Sequence, residues 1–402
     1  MEEKNETLNV EKGPTRVYTP KKIILIVAAV IGTLILVLVG YVGYILLSYY
    51  RIGDQKLTIS GTPTKEVVNT DEELSIVTYN IGFGAYSQDY TFFLDTGYDD
   101  EGKETCGHWS TGRSYKEVKG NTDGAIKTVK DLDPDFALFQ EVDTHSSRSY
   151  GIDQDKAITT SFTNYSHTHA VNFHTAYLPY PLYDMHGSVN AGLTTVSKYK
   201  INNAERKQYT IADDLSKLFD LDRCFSTHEL NMNNGKKLCI VNSHMSAYDK
   251  GGVIRETQMK ELNTFLKAHY EAGDYVIVGG DYNHDLLTYN PDYSYNATDN
   301  RPFGMTKKAP DWVSYFYNEE GKTSLTEGYD VAASDNNPTC RNNDIEWDPA
   351  KTFVTCVDGF IVSDNIEVTG VEVIQTKNGK KGLDGFAYSD HEPVRMTFKL
   401  LA

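Results

Sequence analysis

Residues 23–47 form an uninterrupted apolar run, IILIVAAVIGTLILVLVGYVGYILL, which contains no charged side chain. A helix rises about 1.5 Å per residue, so this run is long enough to cross the roughly 30 Å hydrocarbon core of a bilayer. Lys21 and Lys22 come just before the run, and Tyr49 and Tyr50 follow it. Paired lysines favour a cytoplasmic N-terminus, and tyrosines suit the far interface. The sequence therefore predicts a single-pass protein of the cell membrane, with its N-terminus inside and the rest of the chain outside.

A cleaved signal peptide is the alternative explanation of the apolar run. The run is longer than the apolar part of a typical signal peptide, and no small-x-small cleavage site follows it cleanly. We therefore predict a cytoplasmic tail (1–22), a transmembrane anchor (23–47), a linker (48–71) and one folded domain (72–402). The tail is polar and of mixed charge, and the linker contains glycine and proline but no apolar period.

The charge balance of the chain is acidic, with 39 lysines and arginines against 56 aspartates and glutamates in 402 residues. This excess disfavours a broad basic surface of the kind that holds nucleic acid through its phosphates. It leaves room for a small site that binds one phosphate, because a divalent metal can supply the positive charge there.

The five cysteines do not have the spacing of a zinc site, because no two of them are two to four residues apart. A disulfide between Cys340 and Cys356 is compatible with a location outside the cytosol. An odd number of cysteines gives no disulfide framework, so this pairing stays open.

Strands and helices alternate from about residue 72 onwards. The predicted strands are 74–82, 135–142, 191–199, 226–232, 236–245, 274–281, 356–363, 366–374 and 392–400, and the predicted helices are 122–132 and 253–271. Such an order indicates an α/β or α+β sandwich. Residues 284–352 are rich in Tyr, Asn, Asp and Pro and have little regular pattern, which is typical of a lid or a substrate loop. Trp312 in this stretch could stack on a base or a sugar, or pack against the loop itself.

Polar residues follow the apolar middle of several predicted strands. They are Asn80, Glu141, His244, Asp281, Asn283, Asp390 and His391, and Asp358 opens a further strand. Each one alone is more typical of a turn or a structural hydrogen bond. Side chains at i and i+2 of a strand point to the same face, so Asp281 and Asn283 can reach one reacting centre. One site explains all these positions together, whereas a structural explanation needs a separate cause for each.

These residue types suit the hydrolysis of a phosphate ester. Glu141 can hold a divalent cation that neutralises the phosphoryl oxygens. His391 can take a proton from water, a carboxylate behind it can fix its tautomer, and His244 can donate a hydrogen bond to the transition state. Carboxylate, Asn and His ligands without cysteine suit Mg²⁺ or Mn²⁺ better than zinc.

The segments YNI, FQEVD, VNSHM, GGDYNHD and YSDHEPV, in this order and spacing, resemble the endonuclease/exonuclease/phosphatase superfamily, which includes deoxyribonucleases and neutral sphingomyelinases. The resemblance covers about residues 72–400. It implies a four-layer α/β sandwich of two packed mixed β-sheets flanked by helices, preceded here by one transmembrane helix. It further implies a phosphoesterase with one Mg²⁺-dependent site at the strand ends, and Mn²⁺ as a substitute ion.

The resemblance also implies roles for single residues. Glu141, Asn80 and Asp390 match the metal-side positions, and Asp281 and Asn283 match the pair that positions the attacking water and the transition state. His244 matches the phosphate-stabilising histidine, His391 the general base, and Asp358 the carboxylate that orients it.

A further residue, Arg148, lies in the loop after Glu141, where its guanidinium could clamp a second charge on the substrate or simply lie on the surface.

The function predicted from the sequence is a membrane-anchored, extracytoplasmic, Mg²⁺-dependent phosphoesterase. Its substrate is a nucleic acid, a phospholipid head group or a sugar phosphate, and no protein partner is predicted. The alternatives are a nuclease acting outside the cell and a non-catalytic binding module on the same fold. A signalling subunit that depends on its anchor is less favoured, because the glycines of the apolar run have no GxxxG spacing.

Overall fold

The computed structural model describes residues 19–212, 222–247, 252–287, 314–316 and 325–401. The chain divides into two compact units, which meet between Tyr49 and Tyr50. The first unit contains helix α1 (Pro20–Ser48), which starts with proline in its first turn, where no backbone hydrogen bond is lost. This helix is long and apolar enough to cross a membrane, a property that a signal sequence would share.

The second unit contains all the other elements. Its helices are α2 (Tyr115–Asp131), α3 (Gln154–Ser161) and α4 (Val253–Ala272). The strands up to residue 231 are β1 (Gln55–Lys56), β2 (Ser60–Gly61), β3 (Leu74–Asn80), β4 (Thr96–Tyr98), β5 (Glu104–Cys106), β6 (Phe136–Asp143), β7 (Ser166–Leu178), β8 (Gly187–Ser197), β9 (Asn203–Gln208) and β10 (Cys224–Asn231). The later strands are β11 (Lys237–His244), β12 (Tyr275–Asp281), β13 (His284–Asp285), β14 (Ser314–Tyr315), β15 (Tyr329–Ala332), β16 (Cys340–Arg341), β17 (Val354–Thr355), β18 (Asp358–Ser363), β19 (Ile366–Val373) and β20 (Val394–Leu400).

Two seven-stranded sheets carry the fold. Sheet I has the order β1-β9-β10-β11-β12-β18-β15, and sheet II has the order β19-β20-β3-β6-β8-β7-β2. Both sheets are mixed, because β11 and β12 run parallel in sheet I and β3 and β6 run parallel in sheet II, beside antiparallel neighbours. The central strands are buried on both faces, which explains why their sequences are continuous apolar runs.

The apolar core lies between the sheets, where Ile76 and Leu138 of sheet II pack in one cluster with Ile277 of sheet I. Helices cover the outer faces. α2 and α3 contribute to a cluster with the outer side of β3 and β6, and α4 to a cluster with β11 and β12. The helix–sheet–sheet–helix order is the four-layer sandwich that the sequence predicts, so the predicted fold class is confirmed.

Helix starts agree with local sequence signals. The Ser114 side chain accepts a hydrogen bond from the Glu117 backbone N–H at the start of α2, and Asp153 does the same for α3. α2 begins seven residues before the predicted helix 122–132. The apolar pattern did not predict these residues as helix, because the first two turns of α2 carry few apolar side chains.

Two regions differ from the sequence-based prediction. Part of the predicted linker 48–71 joins the sheets, since Gln55 pairs with Arg206 and Ser60 pairs with His167. The predicted irregular stretch 284–352 contains the short strands β13, β14, β15 and β16 in its described parts. Residues 288–313 and 317–324, with Trp312, lie outside the described residues, as does most of the predicted tail.

Candidate active site

Strand ends of sheet I bring three of the predicted residues into register. β11 ends at His244 and β12 at Asp281, and these two residues pair across the parallel ladder. On the other side of β12, Asp281 pairs with Asp358, the first residue of β18. Residues 244, 281 and 358 are far apart in the chain, yet this pairing places three titratable side chains at one edge of the sheet.

Sheet II brings its own residues to the same place. β3 ends at Asn80, opposite Gln140 of β6, and Glu141 follows at an irregular step in the pairing of β6 with β8. Asp390 and His391 lie just before β20, which is the neighbour of β3. The Asn80 side-chain Nδ2 donates to Asp281 Oδ2 at 3.0 Å and to Glu141 Oε1 at 3.3 Å. Asn80 therefore connects the two sheets at the site.

His391 and Asp358 form a buried pair, in which His391 Nδ1 donates to Asp358 Oδ2 at 2.8 Å. In the neutral ring this bond puts the lone pair on Nε2, which lies 3.4 Å from Asn80 Nδ2 and 3.7 Å from Asp281 Oδ2. Burial lowers the pKa of His391, but the charges of Asp358 and Asp281 outweigh burial and raise that pKa well above the usual histidine value. Burial also raises the pKa of Asp358 to about 6, against the opposing effect of His391.

His244 lies on the other side of Asp281, with its Nε2 3.3 Å from Asp281 Oδ2. Burial and the nearby Arg223 lower the pKa of His244. The Asn172 amide of β7 reaches His244 Nδ1 at 3.5 Å. Asp281 is fully buried and would have a raised pKa for that reason, but the two histidines and the Asn283 N–H lower it instead.

Asn283 is held by its backbone and its side chain. Its N–H donates to Asp281 Oδ1 at 2.9 Å, and its Nδ2 donates to the Met245 carbonyl at 3.0 Å. Its φ of 51° and the 53° of Glu141 place both residues in the left-handed region, which side chains other than glycine seldom adopt. Backbone strain of this kind is typical of functional sites.

The residues present fit a hard divalent cation. Glu141 is half-buried. Burial raises the pKa of Asp390, and the negative charge of Glu141 raises it further. Asp390 Oδ2 accepts a hydrogen bond of 2.9 Å from Asn343. Two carboxylates beside amide groups are the oxygen donors that Mg²⁺ prefers. Ligand atoms of Asp281, Asp358 and His391 also lie within 4.8 Å of one another, beside this carboxylate pair.

Arg148 has a different set of partners from the one that a substrate clamp needs. Its Nε and Nη2 donate to the two oxygens of Asp143 at 3.1 and 2.9 Å, and its guanidinium stacks on Phe83 at 3.9 Å. Both groups are buried. The guanidinium is therefore already in a bidentate ion pair with Asp143.

Sequence reasoning did not identify Asn172, Asn343 or Cys340 as parts of the site. Asn343 is 47 residues from its partner Asp390, and Asn172 is 72 residues from His244. No motif at these positions gave a signal, and only the folded sheets show the proximity. The cysteines at 340 and 356 are both free thiols rather than a disulfide.

This chain is similar to known proteins in sequence and in fold. The model of the Endonuclease/Exonuclease/phosphatase family matches residues 77–391. ANGEL2, a 2',3'-cyclic phosphatase solved with adenosine-2',3'-vanadate, is similar at 14% identity over 87% of this chain and 99% of its own, with a TM-score of 0.50. Truncated TDP2 from Caenorhabditis elegans is similar at 15% identity, with 82% and 98% coverage and a TM-score of 0.46.

The catalytic domain of human Nocturnin with a bound sulfate anion is similar at 13% identity, with 86% and 97% coverage and a TM-score of 0.46. No curated protein matches the sequence. The likeness to ANGEL2 shows the fold of residues outside the apolar helix, and the family match covers every site residue discussed above.

Proposed function

This chain belongs to the Endonuclease/Exonuclease/phosphatase family, and from that premise we propose that it is a Mg²⁺-dependent phosphoesterase anchored in a membrane. The resemblance inferred from its motifs is thereby confirmed, and the family consists of hydrolases of ester bonds. The single observation that carries the proposal is the convergence of both sheets on one buried cluster, in which Asn80 joins Glu141 to Asp281.

Glu141 and Asp390 are the proposed holders of the ion, with Asn80 fixing the carboxylate of Glu141. When bound, Mg²⁺ supplies the positive charge that neutralises the phosphoryl oxygens and stabilises the developing charge. Its charge would also lower the pKa of His391, because a cation nearby disfavours the protonated imidazole. In the metal-free site, burial lowers the pKa of His391, but Asp358, Cys340 and Asp281 raise it above the usual histidine value.

His391 is the proposed general base. Its Nδ1 is held by Asp358, so Nε2 is the atom that takes the proton of the attacking water. Asp281 and Asn283 position that water, and His244, which lies on the far side of Asp281, donates a hydrogen bond to the transition-state oxygen. Asp358 keeps the imidazole in one tautomer and stabilises its protonated form.

The proposed location is outside the cytoplasm, with α1 as the anchor. The helix has the length and apolarity for a span, and the paired lysines precede it. The substrate class within phosphate esters is set by the rim of the site, and the acidic charge of the chain favours a small ester over a long polyanion.

The experiment that tests this proposal assays the full-length chain in detergent on plasmid DNA, RNA, sphingomyelin, nucleotides and sugar phosphates, with Mg²⁺ and with EDTA. We expect Mg²⁺-dependent cleavage of at least one substrate class, and loss of cleavage in Glu141→Gln and in His391→Ala. Glu367→Gln, which changes an exposed glutamate of β19, is the control and should keep full activity.

The same variants separate the alternatives. Cleavage confined to DNA or RNA would favour the nuclease function. A folded protein that turns over nothing on the panel, and whose thermal melting temperature does not respond to Mg²⁺, would overturn the enzyme proposal in favour of a binding module.

A further inference from the structure

Three large apolar side chains are exposed at the tip of the β7–β8 hairpin. The loop between these strands reads PYPLYDMH (179–186), and Tyr180, Leu182 and Tyr183 in it are 67%, 76% and 63% exposed. Such side chains are ordinary on a protein surface when they are scattered singly. Three of them within four consecutive positions form a patch, and the neighbours of the loop show how far this patch extends.

Ring contacts extend the patch to two other segments of the chain. The Tyr180 ring centroid lies 5.8 Å from that of Phe93, and the Tyr183 ring stacks on His108 at 4.9 Å with 13° between the planes. The Phe93 N–H donates to the Trp109 carbonyl at 2.9 Å, which joins the two segments to each other. We call this surface the apolar platform, and it consists of Phe93, Leu94, Trp109, Tyr180, Leu182 and Tyr183.

Polar contacts hold the platform in one arrangement. Asp184 Oδ2 accepts the backbone N–H groups of Ser110 and Thr111 at 2.6 and 3.0 Å, and Asp184 Oδ1 accepts the Thr111 hydroxyl at 2.7 Å. Packing of the loop against neighbouring rings is the ordinary explanation of its aromatic residues. That packing accounts for the ring contacts, but it does not account for the exposure of Leu182 on a loop that is fixed by hydrogen bonds.

The charge of the platform distinguishes between possible partners. The three segments that form it, residues 90–98, 104–112 and 176–187, contain no lysine and no arginine. Nucleic acid is held mainly through its phosphates by these two side chains, so the platform does not suit it. Tyrosine beside leucine is instead typical of the membrane–water interface, where the ring is in an apolar layer and the hydroxyl stays hydrated.

The basic residues that flank these segments have acidic neighbours. Lys103 follows the acidic run DDE (99–101), and Arg113 forms ion pairs with Asp89 and Glu117. They therefore give the platform no free cluster of positive charge for a phosphate backbone.

The folded unit also begins beside the strand that leads to the platform. Its first residue, Tyr50, has its ring centroid 4.6 Å from that of His174 in β7. From His174 to the end of β7 at Leu178 the strand covers about 13 Å. Ser48, the last residue of α1, is only two positions before Tyr50 in the chain, so the covalent connection keeps a bilayer that holds α1 within reach of the platform.

The platform is connected to the proposed active site as well. Phe92 N–H, next to Phe93, donates to the Asn343 carbonyl at 2.9 Å, and Asn343 Nδ2 donates to Asp390 Oδ2 at 2.9 Å. A surface on which the platform rests would therefore lie near one of the carboxylates proposed to hold the ion.

We propose that the apolar platform docks on the lipid bilayer, with Leu182 and the two tyrosines at the level of the lipid head groups. The inference rests on the membrane location proposed above. It goes beyond anchoring by α1, because a second contact fixes the orientation of the folded unit on the membrane surface, which a single covalent connection leaves free.

Docking is tested on the full-length protein in phosphatidylcholine vesicles whose acyl chains carry a nitroxide quencher close to the head groups. Cys106 is exposed while the other four cysteines are buried, and its Sγ lies 3.4 Å from the Phe93 carbonyl oxygen. An environment-sensitive fluorophore on Cys106 thus reports at the platform, and we expect its emission to shift to the blue and to be quenched. The same fluorophore on Glu367→Cys in a Cys106→Ser background, at the opposite edge of sheet II, should stay unquenched.

Two substitutions test which side chains make the contact. Leu182→Asp and Tyr183→Ser should each reduce the quenching of the Cys106 fluorophore, because a charged or small polar side chain is disfavoured at the apolar edge of the interface. Val253→Asp, which changes an exposed apolar residue of α4 on the other sheet, is the matched control and should keep the quenching. Unchanged quenching in both platform variants would overturn the proposal.

Sedimentation and turnover separate the docking from the other proposals. A protein that sediments with the vesicles while its Cys106 fluorophore stays unquenched would refute the docking and keep the anchor, and a protein that does neither would refute both. A blue shift with a DNA or RNA oligonucleotide in place of vesicles would overturn the docking in favour of a nucleic-acid surface. Quenching in a protein that cleaves no phosphate ester would confirm the docking and refute the phosphoesterase function.

Discussion

Asp358 is the residue on which the charge of the site depends most directly. Its carboxylate is fully buried, accepts the Nδ1–H of His391 at 2.8 Å, and pairs in the sheet with Asp281. Burial lowers the pKa of the His391 imidazole, but the negative charges of Asp358 and Asp281 outweigh burial and raise that pKa. Replacing Asp358 by asparagine, a neutral side chain of the same shape, removes the charge without changing the size of the side chain and so shows how much that charge raises the pKa of His391.

Asp358→Asn should therefore lower the pKa of His391 in the metal-free protein, because one of the two charges that favour the protonated ring is gone. An NMR titration of the His391 ring measures this directly. Activity with Mg²⁺ should fall by as much as about 10⁴-fold, the size of effect expected when the aspartate that orients a catalytic histidine becomes asparagine and favours the wrong tautomer. Asp330→Asn, an exposed carboxylate on the neighbouring strand β15, is the control. A His391 pKa that does not move in Asp358→Asn would contradict the assignment.

Gly280 shows how tightly the backbone of the site is packed. A Cβ atom at this position would lie 1.9 Å from the Ser243 carbonyl oxygen, which belongs to the adjacent strand, and its φ is 153°. The glycine before Asp281 is therefore a requirement of strand packing next to His244, and no side chain can be accommodated without separating β11 from β12.

Gly280→Ala should lower the free energy of unfolding by more than about 2 kcal/mol, as overpacking against rigid backbone does. Gly120→Ala is the matched control, since it lies inside α2 with no atom near its added Cβ. That control should gain up to about 1 kcal/mol from better helix propensity. Urea denaturation of both variants measures the two effects, and equal changes of either sign would disprove the steric argument.

At the scale of elements, buried polar contacts cross the interface between the sheets away from the reacting groups as well as among them. Gln140 of β6 donates to the Asn242 side chain of β11 at 2.8 Å, directly behind the site. His228 of β10 accepts a hydrogen bond from the Thr168 hydroxyl of β7 at 2.8 Å, while its Nδ1 donates to the Ile240 carbonyl. Such buried pairs require their partners, so they fix how one sheet lies on the other.

His228 makes this interface sensitive to acid. Burial lowers the pKa of His228 from 6.5 to about 4, so the folded protein keeps the ring neutral where the unfolded chain protonates it. This contribution is fully present above pH 6.5 and is lost as the pH falls towards about 4, by about 3 kcal/mol in total. Thermal or urea unfolding across this range should show a smaller loss in His228→Gln, with the exposed His108→Gln as control. Equal slopes in all three proteins would refute the prediction.

The central strands could be predicted from the sequence because they are buried on both faces and read as apolar runs that end in polar residues. β3, β6, β11, β12 and β18 lie within a few residues of their predicted positions. β7 was missed, because its sequence SHTHAVNFHTAYL mixes polar and apolar residues on a strand with one face half-exposed. The short β1 and β2 were missed because two-residue edge strands carry no period.

The candidate site was predictable to the extent that its residues end strands. Contacts between segments that are distant in the chain could not be predicted from the sequence. Examples are the contacts of Asn343 with Asp390 and of Cys340 with His391. The pairing of Arg148 with Asp143 has the same origin, since a spacing of five residues gives no sign that a turn will bring the two together.

At the scale of the whole molecule, an apolar helix and a folded unit are two separate bodies joined at residue 49. Deleting residues 1–48 should release the folded unit, because Tyr50–Ala402 forms its own contacts, including Arg51 with Asp222. We expect the full chain to sediment with membranes and to require detergent for extraction, and the deletion variant to remain in the supernatant.

Protease added to intact cells tests the orientation. It should digest the folded unit of the full chain if residues beyond α1 lie outside, and a cytosolic marker protein should stay intact as the control. Protection of the folded unit until the cells are lysed would reverse the proposed topology.

Sheet I supplies His244, Asp281 and Asp358, while sheet II and the segment before β20 supply Asn80, Glu141 and His391. Neither sheet alone holds all of these side chains. Catalytic activity therefore requires that the two sheets pack against each other correctly. A protein that keeps its strands but in which the two sheets no longer pack correctly would be inactive, although its far-ultraviolet circular dichroism spectrum would be unchanged. Activity therefore measures correct packing of the two sheets. If the chain were cut into two fragments, one for each sheet, the return of activity on mixing would show that the fragments had reassembled.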